Sequence, residues 1–382
     1  MQKVNFTSPL GGSIASPVDS VATSIGSGAA TQRAAPDARL AGLSSRVRAK
    51  VEGDRVRRQV RVQSHAPGII ETSIRPAAQG EASVARSGSP LAKIQALMKE
   101  DSRYTRLTVV GGSSETTVLG TENGALPRHP DALTQDIASP AAIVNGGYFI
   151  HKQGLTADDG QTLDKIGTPI GPTSHRQDHQ PISTIWKPYY GQVKINDETG
   201  LCSGPLLARN GALEPVPFED NKFLYRPDGK TENELNKLAG AMTPCGDPIE
   251  RSAISVNMSS NGEHGDVIMH ALTAGGSRTK GATMADWQKM TKLGADSAQD
   301  HARTIGTGGN ASTLALDGGG STYLGVRSET GLTTLVHGIG GISGDAIRPT
   351  PNVIASKPAL PAQGNANAAV GGRVSIDQAP QD

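Results

Sequence analysis

Aromatic residues are scarce in this chain, because Phe, Trp and Tyr together make up only 3% of its 382 residues. So few rings cannot form the base-stacking surface that proteins binding single-stranded nucleic acids use. An excess of one charge is also missing, since 37 Lys and Arg residues stand against 36 Asp and Glu residues and the formal net charge is +1. No overall electrostatic field therefore attracts polyanions, and we expect no nucleic acid among the partners.

Cysteines and long apolar runs are equally few. The two cysteines, Cys202 and Cys245, cannot build a disulfide framework and lack the spacing of a zinc site. One disulfide and two free thiols are both compatible with the sequence. No apolar run approaches the roughly 20 residues of a membrane-spanning helix, so no membrane span is predicted. Residues 1–20 also lack the continuous apolar segment of a cleavable signal peptide.

The two ends of the chain differ in composition from its middle. Residues 1–94 are rich in Ser, Gly, Ala, Thr and Pro, and we predict that this segment is disordered because it cannot offset its own ordering entropy. Its arginine-rich stretch, residues 46–64, is interpreted as a solvated linker, with contact to a polyanion or a membrane as the alternative. The tail, residues 358–382, is also predicted to be disordered. One large domain is then expected over residues 95–357.

The N-terminal composition also bears on localisation. A long Ser-, Thr-, Gly- and Pro-rich N-terminus without a signal peptide is typical of the export segment of bacterial effectors delivered by a type III system. We therefore expect a secreted virulence effector that is delivered into a host cell and acts on host-cell targets. An ordinary disordered linker has the same composition and is the alternative.

Short strands separated by glycine-containing turns dominate the middle of the chain. Residues 106–112 and 141–150 are predicted strands, and residues 251–275 have the pattern of a hairpin that turns at Asn261-Gly262. The pattern predicts an α+β fold: a sheet-dominated single domain with a few helices on one face, flanked by disordered tails.

One segment, residues 282–296, predicts a helix. Met284, Trp287 and Met290 recur at three-residue steps, which places them on one face. Gly294 is the expected C-terminal stop of this helix.

The run "LALDGGGSTYL", residues 314–324, ends a predicted strand in Asp317 and three glycines. It is not a nucleotide P-loop, because no Gly-Lys-Ser/Thr follows, and it lacks the spacing of a dinucleotide fingerprint. Consecutive glycines can turn their backbone N–H groups into one anion-binding concavity, with Asp317 on its rim. The alternative is a tight turn in which Asp317 only caps backbone N–H groups.

A second strand end has matching chemistry. The apolar strand "AAIV" runs into Asn145-Gly146-Gly147-Tyr148-Phe149, so that a polar residue again precedes glycines. Two strand ends of this kind in one domain predict a shared pocket.

The pair of motifs resembles the phosphodiester glycosidase family, enzymes of the uncovering type that remove N-acetylglucosamine from phosphodiester-linked glycans. The family pattern is an N-G-G-F/Y-F segment followed much later by L-D-G-G-G-S-[ST], and this chain has "VNGGYF" and "LALDGGGSTYL". The resemblance spans about residues 100–357. Within it "ERSAISVN" aligns Arg251 with a family arginine, and "AIRPTPNVIAS" aligns Arg348 and Asn352 with the closing segment.

The chain also departs from the family pattern. Glu250 stands where the family has a proline, and Ser255 stands where it has a glycine. Two segments, residues 196–246 and the stretch between the predicted helix and the glycine run, are longer than in the family. We expect these departures to change the substrate more than the reaction class.

The resemblance implies a hydrolase that cleaves a sugar–phosphate diester, with a sugar-phosphate diester or a nucleotide-sugar as the substrate. Asp317 would face the sugar as a base toward water or as electrostatic support, and arginine forks would hold the phosphate. The expected catalytic residues are Asp317, Asn145 and Arg251. The expected substrate-binding residues are Gly146, Gly147, Arg348, Asn352, Gly318, Gly319, Gly320, Ser321 and Thr322. The alternative function is a catalytically silent effector that captures a phosphosugar or nucleotide-sugar.

No cofactor is predicted. The aspartate-rich loop "TADDGQTLD", residues 156–164, could bind a divalent cation weakly. His151, His175, His179 and His337 lie in or near predicted loops and are expected to face solvent, with His175 and His179 closest to the expected site.

Overall fold

The structure is a computed structural model that describes thirteen stretches of the chain. They are residues 59–77, 88–121, 126–157, 160–163, 165–170, 191–194, 200–215, 228–239, 245–257, 265–298, 310–339, 346–359 and 375–378. All of these residues belong to one compact unit.

Strands outnumber helices in these stretches. In chain order the strands are β1 (Val60–Ala66), β2 (Ile69–Ile74), β3 (Arg103–Val109), β4 (Thr116–Gly120), β5 (Ala141–Asn145), β6 (Leu155–Thr156), β7 (Thr162–Leu163), β8 (Gly191–Lys194), β9 (Gly200–Ser203), β10 (Leu206–Arg209), β11 (Ala212–Leu213), β12 (Arg251–Asn257), β13 (Val267–Thr273), β14 (Ala311–Ala315), β15 (Tyr323–Ser328), β16 (Gly331–His337), β17 (Asn352–Ser356) and β18 (Ser375–Gln378). The helices are α1 (Pro90–Leu97), α2 (Pro130–Thr134), α3 (Glu232–Leu235) and α4 (Met284–Ala298). None of these described helices is long and apolar enough to cross a membrane.

Two antiparallel sheets form the body. The larger has the order β1-β2-β3-β13-β12-β14-β10-β11, and the second has the order β16-β15-β5-β17-β4. Their apolar side chains mix in one core cluster that joins Leu107, Ile254 and Leu314 of the large sheet to Val144 and Ile354 of the second. The two sheets are therefore packed face to face, as expected when each has one apolar face to bury. The prediction of a sheet-dominated α+β domain is confirmed.

Helix α4 covers the other face of the large sheet. Met284, Trp287 and Met290 are buried there, as their spacing predicted. Gly294 is not the C-terminal stop, because α4 continues to Ala298. Its lack of a side chain serves packing instead: a methyl group on Gly294 would lie 1.9 Å from the hydroxyl oxygen of Tyr104.

A buried polar network joins α4 to the large sheet. His270 lies between the Tyr104 hydroxyl, 2.7 Å from Nδ1, and the Ser255 hydroxyl, 2.8 Å from Nε2. Arg106 donates to the carbonyl of Gly294 in the last turns of α4, where a cation complements the helix dipole. Burial, followed by the charge of Arg106, lowers the pKa of His270 to about 3, so the imidazole is neutral in the folded protein.

Both predicted domain boundaries are corrected. Strands β1 and β2, within the segment 1–94 that we expected to be disordered, form an antiparallel hairpin around Gly68 (φ +79°) at the edge of the large sheet. Ile69 and Ile74 of this hairpin are fully buried, and so is Ile94 of α1, which begins at Pro90 inside the same segment. The segment therefore contains apolar faces that pack into the core.

At the other end of the chain, β18 lies in the expected tail. It pairs with β8 and buries Ile376. Within the expected tails, residues 1–58, 78–87, 360–374 and 379–382 lie outside the described residues, and so does the Asn261-Gly262 turn of the hairpin that β12 and β13 form.

Candidate functional site

The two glycine-containing strand ends lie against each other. The side-chain amide of Asn145 donates to the carbonyl of Asp317 at 2.7 Å, and the Asp317 N–H donates to the carbonyl of Gly146 at 3.1 Å. The side-chain oxygen Oδ1 of Asn145 accepts from the N–H of Tyr323 at 3.0 Å, and its Nδ2 also donates to the carbonyl of Gly146 at 3.2 Å. Asn145 is fully buried, so its amide joins three backbone groups and positions the loop that carries Asp317.

Asp317 has a part-buried carboxyl group that interacts with two other predicted site residues. Burial raises its pKa to about 6, against hydrogen bonds from the Ser321 hydroxyl and the Gly318 N–H and the positive charge of Arg348, which all lower it. The Arg348 Nη1 donates to Ser321 Oγ at 3.2 Å. Ser321 therefore links the carboxylate to the guanidinium, and the hydroxyl of Ser252 donates to the Asp317 carbonyl at 2.7 Å from behind.

The glycine run is a tight 3-10 turn over Gly319–Ser321. The Gly319 N–H donates to the carbonyl of Glu250 at 2.9 Å, and the N–H groups of Ser321 and Thr322 donate to the carbonyls of Gly318 and Gly319. The Gly318 and Gly319 N–H groups are therefore bonded to the Asp317 carboxyl and the Glu250 carbonyl, and neither is available for the open anion-binding concavity that we predicted. The alternative, a turn with Asp317 bonded to a backbone N–H, describes the loop.

Two of the three glycines have conformational reasons of their own. Gly319 has φ +57°, in the left-handed region that side chains disfavour. Gly318 approaches another segment closely, because a methyl group there would lie 2.8 Å from the carbonyl oxygen of Glu250. Gly320 is buried within the same turn.

Glu250, which stands where the family has a proline, has a structural role that the sequence pattern did not predict. Its buried carboxylate accepts from the N–H groups of Ala274 at 2.9 Å, Gly276 at 3.1 Å and Ile339 at 2.7 Å. It thereby ties the loop after β13 to the loop after β16, beside the glycine turn. A charged residue directly before a buried strand was the available signal for this role.

Arg251 lies at a different place from the one we expected. Its guanidinium donates to the carbonyls of Ala282 at 3.0 Å, Asp247 at 2.9 Å and Cys245 at 3.4 Å, and the side chain is buried. Arg348, rather than Arg251, is the cation whose charge acts on the Asp317 carboxyl. Arg251 thus holds the backbone at Cys245, Asp247 and Ala282 in place.

Asn352 and the two glycines after Asn145 are buried and in contact with one another beside the Asp317 loop. The Asn352 Oδ1 accepts from the Gly147 N–H at 3.0 Å, and a methyl group on Gly146 would lie 1.7 Å from the same oxygen. Among the described residues, no acceptor lies within reach of the buried Asn352 Nδ2, and the buried Thr322 hydroxyl has no partner there either. Because both groups are buried, a substrate could contact the Asn352 amide or the Thr322 hydroxyl only if the surrounding backbone moved.

Among the predicted histidines, His151 proves to be near the site. It follows the Asn145 loop and lies close enough to Arg348 for that charge to act on its ring. His337 bonds its neighbour's carbonyl at 3.1 Å, whereas His175 and His179 lie outside the described residues.

Neither clusters of His, Cys, Asp and Glu side chains nor the two thiols form a further candidate site in the described ranges. No group of three or more His, Cys, Asp or Glu side chains there could hold a metal ion, and the aspartates of the loop 156–164 lie outside those ranges. Cys202 and Cys245 are buried thiols that form no disulfide, and burial raises the pKa of the Cys202 thiol to about 12.

Comparisons with known proteins give no family. No protein-family model and no curated protein matches the chain. A hypothetical protein from Synechocystis is similar over 78% of this chain and 64% of its own length, with 13% identity and a TM-score of 0.38. This chain therefore spans less than two thirds of that structure. A protein described as a "Putative exported protein" from Burkholderia pseudomallei K96243 is similar over 78% of this chain and 96% of its own length, with 10% identity and a TM-score of 0.34. At these TM-scores neither similarity carries an argument about this chain.

Proposed function

We propose that the protein is a hydrolase that cleaves the bond between a sugar and a phosphodiester, as its resemblance to phosphodiester glycosidases implies. The observation that carries this proposal is the arrangement of Asp317, Ser321 and Arg348. It puts a carboxyl group with a pKa of about 6 and a guanidinium on the same serine hydroxyl.

The pKa of Asp317 suits acid–base work near neutral pH. A carboxyl group with a pKa near the working pH can both accept and return a proton, whereas an ordinary aspartate is too weak a base. Above pH 6 the group is largely ionised, and the hydroxyl of Ser321 holds it in one orientation. It is then placed to remove a proton from a water molecule that attacks the anomeric carbon.

Arg348 would stabilise the leaving group. As the bond between the anomeric carbon and the phosphate oxygen breaks, the electron pair stays on that oxygen and the sugar gains oxocarbenium character. A phosphate that already carries negative charge needs little protonation, so a guanidinium beside it supplies the electrostatic stabilisation that the step requires. Its contact with Ser321 keeps this cation within reach of the carboxylate.

Residues around this group support it rather than react. Asn145 and Ser252 both donate to the Asp317 carbonyl at 2.7 Å, and Glu250 accepts the Gly319 N–H through its carbonyl. Hydrogen bonds to the backbone on both sides of a reacting group hold that group in its productive geometry, and the proposal requires Asp317 to be held in this way.

A screen of sugar 1-phosphate diesters and nucleotide-sugars, with released free sugar as the readout, tests the proposal. We expect turnover by the full-length protein, and we expect Asp317→Asn to lower it about 100-fold or more, the scale for loss of an acid–base group. Asp228→Asn, at an exposed position, is the matched control and should change nothing. Wild-type-like turnover of Asp317→Asn would refute the assignment. Binding of a phosphosugar without turnover by the wild type would instead identify a catalytically silent binding protein.

A further inference from the structure

Buried polar groups without partners lie at the end of the large sheet that points away from Asp317. Asn257 ends β12, whereas the Asp317 loop bonds to Ser252 near the start of that strand. Among the described residues, neither polar atom of the Asn257 side chain has a hydrogen-bond partner, although the residue is only 1% exposed. Polar groups inside native proteins are almost always paired, so an amide of this kind indicates a bound water molecule or ion.

The carboxylate of Asp266 belongs to the same cluster. The Asn257 N–H donates to the Asp266 carbonyl at 2.9 Å, one position beyond the pair of Val256 with Val267 in the antiparallel ladder of β12 and β13. Residues directly opposite each other on such strands place their side chains on the same face, with Cβ atoms about 4.5–5.5 Å apart. The side chains of Asn257 and Asp266 therefore form one buried polar pair.

Asp266 has no countercharge within the described part of the chain. It is 5% exposed, and its Oδ1 accepts from the Gly111 N–H at 2.8 Å. Burial raises the pKa of this carboxyl and only the Gly111 N–H lowers it, so no cationic side chain of the described ranges offsets the desolvation. A buried carboxylate stays ionised only when an opposite charge or further hydrogen bonds compensate it.

Helix α4 adds negative potential beside this pair. Its last turn packs against Ile268 and Ala311 in one apolar cluster. Ala311 lies opposite Asn257 in β14, and Ile268 lies two residues after Asp266 on the same face of β13. The C-terminal end of a helix carries partial negative charge, which favours a cation. Arg106 also donates to this helix end, but its charge is not among those that act on Asp266.

We propose that Asp266 and Asn257 hold one hard cation, coordinated by the second carboxylate oxygen of Asp266 and the side-chain oxygen of Asn257. The hydroxyl of Ser113 is the third candidate ligand. It is buried and has no partner in the described ranges, and the Ser113 N–H donates to the carbonyl of Gly265, next to Asp266, at 2.9 Å.

The chemistry of these groups selects a cation rather than water. Carboxylate, amide and water oxygens are the ligands that Ca²⁺ takes in proteins, and one carboxylate balances the single charge of Na⁺ or K⁺. A water molecule alone would pair with the Asn257 amide and leave the Asp266 carboxylate without a countercharge. The inference is independent of the proposed function, because the cluster contains none of the residues of that site.

Thermal unfolding of the full-length protein tests the site. The protein is freed of metal with a chelator and dialysed into choline chloride, which NaCl, KCl or CaCl₂ then replaces at equal ionic strength. We expect at least one of the three ions to raise Tm by about 4 °C or more, because a ligand that binds only the folded state stabilises it by mass action. The rise should be lost in Asp266→Asn and Asn257→Ala and kept in Asp228→Asn, which changes an exposed carboxylate. An equal Tm in all four salts, or an undiminished rise in Asp266→Asn, would overturn the inference.

A crystallographic measurement on the wild-type protein keeps the inference testable if these variants do not fold. Crystals are soaked in thallium(I), which replaces Na⁺ and K⁺, or in terbium(III), which replaces Ca²⁺, because both ions give a strong anomalous signal. We expect an anomalous peak in contact with the Asp266 carboxylate and the Asn257 side chain. The absence of a peak there in both soaks, with or without a water molecule between the two side chains, would reject the cation site.

Discussion

The side-chain amide of Asn145 donates to the backbone carbonyl of Asp317 at 2.7 Å, across 172 residues of chain. This bond connects the end of a strand in the second sheet to the loop that follows β14 in the large sheet. The site is thus built at a junction between the two sheets, and the position of Asp317 depends on their packing.

Asn145→Asp should destabilise the protein. The substitution keeps the size but removes the donor to the carbonyls of Asp317 and Gly146, and it buries a carboxylate against them. We expect the free energy of unfolding, measured in urea, to fall by about 3 kcal/mol or more. Asn236→Asp at the exposed end of α3 is the control and should stay within about 0.5 kcal/mol. A comparably small change in Asn145→Asp would contradict the bridging role.

The pH dependence of turnover should report the ionisation of Asp317. Because the ionised form is required, kcat/KM should fall about tenfold per pH unit below pH 6. Arg348 lowers the pKa of this carboxyl, so Arg348→Gln should move the acidic limb to higher pH. Arg61→Gln, at an exposed position of the edge strand β1, should leave the limb in place. An acidic limb near pH 4 in the wild type would mean that another group is titrating.

Asp317→Asn should stabilise the protein at neutral and alkaline pH. The pKa of Asp317 is raised from 3.8 to about 6 on folding, so its contribution to stability is complete below pH 3.8 and is lost as the pH rises through 6. Removal of the charge should raise the free energy of unfolding at pH 8 by on the order of 1–3 kcal/mol, and by much less at pH 4. Urea titrations at both pH values measure this, and a variant that is less stable at pH 8 would refute the burial of an unfavourable charge.

Gly319 in the glycine turn and Gly338, which follows β16 and packs against that turn, should respond differently to alanine. Gly319 has φ +57° and open space around it, so Gly319→Ala should cost about 1 kcal/mol and leave ligand affinity per folded molecule unchanged. Gly88→Ala, at φ +81° with open space, is the matched control for the backbone penalty. Gly338→Ala would place a methyl group 1.9 Å from the Gly319 carbonyl oxygen, and it should reduce both stability and turnover. Calorimetry and urea unfolding separate these cases, and a selective loss of affinity in Gly319→Ala would restore the anion-binding concavity.

His270 should make the fold sensitive to acid. Its pKa is lowered from 6.5 to about 3, so the stability that its neutral form contributes is present above pH 6.5 and is lost as the pH falls toward 3. The free energy of unfolding should therefore decrease by roughly 1.4 kcal/mol per pH unit below pH 6.5 from this group alone. His270→Gln should lack this component, while His129→Gln, at an exposed position, should retain it. Parallel stability curves for His270→Gln and wild type between pH 4 and pH 7 would contradict the prediction.

Local sequence patterns were sufficient to predict the secondary-structure elements on which the site is built. The apolar strand that ends in Asn145, the strand that precedes Asp317, the helix that contains Trp287 and the sheet-dominated class all follow from periodicity and turn residues, which act over a few positions. The same local signals failed for the hairpin β1–β2. Its residues bury an apolar face only after β2 has paired with β3, more than 25 residues further on.

Which side chains are in contact at the site depends on the tertiary structure. The sequence assigned the catalytic role to Arg251 and substrate binding to Arg348, yet packing gives Arg251 a set of backbone carbonyls and leaves Arg348 beside Ser321. The partners of Glu250 and the neighbours of His151 were equally hidden, because a side chain's hydrogen bonds and its pKa depend on segments that are distant in the chain. The strand ends and their polar residues follow from local sequence, whereas the packing of the two sheets determines which of those residues share a site.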